Sequence, residues 1–125
     1  MKRHIIALIL VFLSGHLIAE QRNVSGLFIT NDQGAEYENT IFECKTGKTI
    51  KLSGKQEFEK FVELYFSLKN LNEYGELYVD LLISDYEVID KTIYTHSHYD
   101  AKAVFEYVVK HSVDQKHINE CRKDS

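Results

Sequence analysis

Ser53–Leu68, "SGKQEFEKFVELYFSL", is the segment whose reading decides the fold. Phe58, Phe61, Val62, Tyr65 and Leu68 recur at the steps that stack side chains on one face of a helix, while Glu57, Glu59, Lys60 and Glu63 fall on the other. Ser53 is placed as the N-cap, and Gln56, three residues on, completes a capping box. The polar face is mainly acidic, whereas a helix lying on a membrane surface usually carries a basic one. Its apolar face is therefore expected to cover a core.

Strand signals precede this helix. Gly26–Thr30 ("GLFIT") is a short apolar run closed by the turn cluster "NDQG". Tyr37–Cys44 follows, with Phe42 and Cys44 two apart and so on one strand face. Lys45-Thr46-Gly47-Lys48 reads as a tight connection in which Gly47 takes positive φ. Thr49–Leu52 then returns with Ile50 and Leu52 on one side.

Beyond the helix, Glu76–Ser84 alternates cleanly: Leu77, Val79, Leu81 and Ile83 against Tyr78, Asp80 and Ser84. The apolar parity then slips to Tyr86 and Val88, which requires a bulge or bend near Ser84–Asp85. In the last quarter, Ala101, Val104, Phe105, Val108 and Val109 fit a helix by spacing, yet "VFEYVV" is β-branched and aromatic. Periodicity leaves both readings open; a sheet that gains one more strand favours a strand from about Val104 to His111, with a helical turn ahead of it.

The resulting order is three strands, a helix, then two strands. This is a mainly β (α+β) chain with the order of a small five-stranded OB-like barrel, its one helix between strands 3 and 4 covering the open bottom.

The N-terminus carries Lys2 and Arg3, nine apolar residues from Ile5 to Leu13, and Ala19 at a plausible cleavage point. That layout reads as a secretory signal, residues 1–19, with 20–125 forming a single domain. The apolar run falls well short of the ~20 residues that span a bilayer, so no stable membrane anchor is expected after cleavage. Without Lys2 and Arg3, 13 basic residues face 19 acidic ones, a formal charge of −6. Nucleic-acid affinity rests on Lys and Arg neutralising phosphates, so no nucleic-acid partner is expected. Nothing in the pattern fixes an oligomeric state.

The chain has two cysteines, Cys44 and Cys121. Exported chains with an even cysteine count usually form disulfides; two free thiols or a metal pair are the alternatives. A bridge here would close a loop of 77 residues, for which chain entropy alone gives about 4.5 kcal/mol as an upper figure.

"GLFI", "FECKTGK" (Phe42–Lys48), the Tyr65-bearing "FVELYFSL", "GELYVDLLISDYEV" (Gly75–Val88) and the late "NEC" (Asn119–Cys121) together resemble the C-terminal OB domain of the NlpE family. Those are Gram-negative envelope lipoproteins linked to copper homeostasis and envelope-stress signalling. The resemblance spans about residues 26–121 and implies a bridged Cys44–Cys121 pair. The family's lipid-modified cysteine and its Cys-x-x-Cys domain have no counterpart in this sequence, so the copper and signalling roles do not transfer automatically.

Candidate chemistry concentrates late in the chain. "YTHSHYD" would aim His96, His98 and Asp100 in one direction if extended, a possible cluster of nitrogen and oxygen metal ligands; a polar loop with exposed imidazoles is the plainer alternative. Ser84, Asp85, His96 and His98 supply the residue types of a catalytic triad, but no nucleophile elbow, phosphate loop or zincin pattern places them. No enzyme activity and no cofactor are expected. Tyr78, Tyr86, Tyr94, Tyr99 and Tyr107 suit a binding face equally well as a solvated sheet. The expectation is an exported, periplasmic or secreted, non-enzymatic domain that binds an envelope or secreted protein or reports envelope state. A small secreted inhibitor or ligand-binding protein, or metal binding through the His-rich tail, are the alternatives.

Overall fold

A computed structural model describes residues 20–30, 39–92 and 98–124. The expected signal segment lies outside them. Five strands, β1 (Gln21–Ile29), β2 (Thr40–Glu43), β3 (Thr49–Ser53), β4 (Leu77–Val88) and β5 (Ala101–Ser112), are joined by two helices, α1 (Gln56–Ser67) and α2 (Gln115–Asp124). Hydrogen bonding runs β1-β2-β3-β5-β4 and closes back onto β1. All pairs are antiparallel except β3–β5. The molecule is thus the expected OB-like barrel with α1 between β3 and β4, plus a C-terminal helix that the sequence reading did not foresee.

Inward residues follow the strand period. Phe28, Ile41, Ile50, Leu52, Leu77, Val79, Leu81 and Ile83 are all at most 1% exposed. From below, α1 inserts Phe58, Phe61 and Tyr65. Phe28 meets all three rings edge-on, with centroids 6.2, 4.8 and 5.6 Å away. Phe61 stacks on Phe105 of β5 at 5.2 Å. Such ring pairs contribute ~0.5–1.5 kcal/mol each beyond the area they bury. The helix therefore closes the barrel bottom, as its apolar stripe predicted.

Its start differs from the capping-box expectation. Ser53 is the last residue of β3, paired with Val104, so its backbone belongs to the sheet. The helix opens after Lys55, without a side-chain cap, through the Lys55 carbonyl accepting from the Glu59 N–H. Sheet closure outweighs a cap worth ~1 kcal/mol.

The same pairing resolves the ambiguous tail. Ala101–Val104 run parallel to Ile50–Ser53 and supply the closing seam of the barrel, so β5 starts at Ala101 and the helical turn expected before Val104 is strand instead. Likewise β1 begins at Gln21, earlier than "GLFIT", because Gln21–Ser25 pair with β4. The expected irregularity near Ser84–Asp85 is present: the β4–β5 register shifts between Ser84 and Glu87, and Asp85 takes φ 52°. In the turn after β2, Gly47 sits at φ 70° as expected, its N–H donating to the Glu43 carbonyl at 2.8 Å.

Candidate functional site

Cys44 leaves the end of β2 and Cys121 lies in the last half of α2; they are joined in a disulfide with Cα atoms 4.7 Å apart. Around the bridge, Leu27, Ile118, Cys44 and Cys121 form a second buried cluster, flanked by Phe42 and Tyr78. It lies on the outside of the barrel. Leu27 neighbours the inward Phe28, so its side chain leaves the opposite face of β1, and α2 covers it. The bridge places the folded chain in an oxidising, extracytoplasmic setting.

A helix of ten residues is marginal alone in water, so local and tertiary ties must hold α2. Asp114 caps it, its carboxylate accepting from the Lys116 N–H at 2.9 Å. Arg122 and Lys123 occupy the last turn, favourable to the helix dipole. Ile118, Cys121 and Arg122 share one face at the three- and four-residue spacing, and all three engage the barrel: Ile118 by packing, Cys121 covalently, Arg122 by a forked ion pair to Glu76. Beside the bridge, a cleft of about 220 Å³ is lined by Tyr78, His117, Glu120 and Lys45. Three of its polar groups are engaged: Ser25 and Tyr78 donate to Asp80, and His117 Nδ1 meets Ser112 Oγ at 2.8 Å.

Of the proposed metal set, His96 lies outside the described residues. Asp100 is committed to the scaffold: one oxygen accepts the Thr49 N–H at 2.9 Å and the other pairs with Lys91 at 2.8 Å. The Lys91 hydrogen bond, then the Thr49 N–H, hold its carboxyl below the usual range. Any cation at Asp100 competes with the Lys91 ammonium. Among the described residues no group of three His, Cys, Asp or Glu side chains is placed to hold a metal. Ser84 is 1% exposed and its hydroxyl donates to Glu106 at 2.5 Å.

The tyrosines are dispersed rather than gathered. Tyr78 lies against His117, Tyr86 under the Arg22 guanidinium at 4.0 Å, and Tyr99 near Lys51; Tyr94 lies outside the described residues. Among the described members of this set, Tyr107 alone stands more than half exposed, at 52%, on β5.

Two neighbouring concavities lie between α1 and β5. A cleft of about 670 Å³ runs between the start of α1 and β5, lined by Lys55, Glu57, Asp85, Val104, Phe105 and Glu106. A second hollow of about 260 Å³ continues from Glu57, Lys60, Phe61 and Leu64 to Phe105, Tyr107 and Val108. Glu57 and Phe105 belong to both. Val109, beyond them on β5, is 59% exposed. Sequence reading had noted Tyr107 and the apolar run of β5 but not their meeting with the α1 flank, because that contact depends on how β3 hands the chain to the helix.

No protein-family model, curated protein or solved structure matches this chain.

Proposed function

We propose that this chain is an exported, non-enzymatic binding domain that engages another protein of the cell envelope through the face formed by α1 and β5. The observation that carries the reading is the groove between these two elements, apolar at Phe61, Leu64, Phe105 and Val108 and edged by charges at Glu57, Lys60 and Glu106. An apolar floor with a charged rim is the anatomy of a protein-binding patch. Tyr107 stands beside it as an exposed aromatic anchor, a residue type enriched at interface hot spots. The disulfide supports action outside the cytosol, and the likeness to the NlpE C-terminal domain supports an envelope role.

The test is affinity capture from envelope extract under oxidising conditions, comparing the native protein with Tyr107→Lys. A defined protein retained by the native chain and lost by the variant supports the reading. Identical capture profiles refute this face as the binding surface.

A further inference from the structure

β5 is used unequally on its two sides. Towards β4 it pairs over its whole length, from Ala101 to Ser112. Towards β3 it pairs only over Ala101–Val104, because after Ser53 the chain turns away into α1. Among the described residues no strand lies against the second edge from Phe105 to Ser112. The barrel is closed at one end of this seam and open at the other. The hollow between α1 and Phe105, Tyr107 and Val108 is the mouth of that opening.

An open strand edge is a template for another strand, and proteins usually guard it with charges, bulges or proline. This edge reads "EYVVK", Glu106–Lys110, with no proline and with Tyr107 and Val109 more than half exposed. Bulges are present: Glu106 and Val109 have no opposite residue on β4. The charges are Glu106 at one end and Lys110 at the other. Their positions decide which strand fits. Two copies of the segment laid antiparallel about Val108 put Glu106 opposite Lys110, Tyr107 opposite Val109, and Val108 opposite itself. Each unlike pair then occurs twice, by the two-fold symmetry. Opposite-charge and aromatic–β-branched pairs are those that stabilise an antiparallel ladder. A parallel arrangement in the same register would face Glu with Glu and Lys with Lys.

We propose that this edge of β5 pairs with the same edge of a second copy of the chain, joining two barrels into one antiparallel sheet across a two-fold axis at Val108. The inference rests on the reading of the α1–β5 face as a protein-binding surface and adds a second copy of the chain as the occupant of its β5 edge. The interface is isologous, so it closes at two copies and does not propagate.

Sedimentation equilibrium of the oxidised protein over a wide concentration range tests it. The mass is expected to rise from one chain towards two. Lys110→Glu sets Glu106 against a glutamate at both ends and should hold the protein monomeric at concentrations where the native chain is dimeric. Glu106→Lys/Lys110→Glu restores the opposite-charge pairs and should restore the dimer. Because Glu106 also accepts from Ser84, amide hydrogen exchange on the native protein gives a second readout: protection at Tyr107–His111 should increase with concentration. A monomer at all concentrations overturns the proposal, as does a dimer indifferent to Lys110→Glu. A native monomer that still captures an envelope protein through Tyr107 overturns the self-association alone. A dimer that captures nothing overturns the separate envelope partner alone.

Discussion

Arg122, in the last turn of α2, forks onto the carboxylate of Glu76 just before β4 begins. The pair is asymmetric: the Glu76 side chain is 6% exposed and that of Arg122 is 44%. Glu76 also accepts from Asn72 Nδ2 at 3.0 Å, and the Asn72 side-chain oxygen accepts the Glu76 N–H. Arg122 is thus the solvent-facing partner that neutralises a buried charge. Together with Ile118 and Cys121 it makes three anchors on one short helix.

Replacing Arg122 with Met should cost about 2 kcal/mol, less than the ~3–5 typical of breaking a fully buried pair, because water reaches Arg122. The double change Glu76→Gln/Arg122→Met removes the orphaned charge and should recover most of that loss. Urea unfolding of the three proteins measures both. An unchanged midpoint for Arg122→Met would show that the ion pair holds nothing.

Cys44→Ser tests the covalent anchor. The bridge spans 77 residues, and removing its constraint on the unfolded chain costs up to about 4.5 kcal/mol by the entropy model. At ~4–8 °C per kcal/mol for a domain near 100 residues, the melting temperature should drop by well over ten degrees. A reducing agent should do the same to the native protein and nothing further to the variant. A melting curve that reduction leaves in place would remove the staple role.

The barrel was largely legible from the sequence because its evidence is local. Alternation in Leu77–Ile83, the helical steps of Phe58–Tyr65 and the glycine at 47 each follow from the residue's own neighbours. What escaped depends on distant partners. Ser53 looks like a cap, but pairing with Val104 claims its backbone. α2 was hidden because its apolar face is a single isoleucine and a cysteine, too sparse for a periodicity signal; the stripe Ile118, Cys121, Arg122 gains meaning only opposite Leu27 and Glu76. One clue was present: Leu27 and Phe28 are consecutive apolar residues, so β1 needed cover on both faces. The α1–β5 groove had no local signature at all.

Asp100 provides a pH-dependent prediction. The Lys91 hydrogen bond and then the Thr49 N–H favour its ionised form, so its folded pKa lies below its unfolded value of about 3.9. The stabilisation is therefore complete above that unfolded value and is lost as the pH falls from there through the folded one. Asp100→Asn should lower stability at neutral pH and leave a shrinking difference from the native protein as the pH falls below the unfolded value. The side chain is 35% exposed, so solvent screening keeps the effect modest. Denaturant midpoints of both proteins across this range decide it; a gap that stays constant with pH would detach Asp100 from the acid limb.

Gly26 gives the sharpest steric test of the barrel. It pairs with Glu43 on β2 and with Val79 on β4 at once, so its backbone is fixed from both sides. A Cβ added there would lie 2.1 Å from the Phe42 carbonyl oxygen and 2.9 Å from its carbon, contacts that no side-chain rotation relieves. Gly26→Ala must therefore push β1 and β2 apart, and the cost should exceed the ~1–3 kcal/mol usual for an overpacked site. Ser25→Ala, one residue away, is the control: it deletes only the Ser25–Asp80 hydrogen bond, worth ~1 kcal/mol. Because Ser25 also accepts the Cys44 N–H through its carbonyl, displacement of β1 should reach the disulfide end of β2 before the α1 end of the core. Hydrogen exchange should accordingly loosen the β1–β2 ladder first, and urea unfolding should rank Gly26→Ala well below Ser25→Ala. Equal stability of the two variants would mean that β1 and β2 do not approach as closely as the barrel requires.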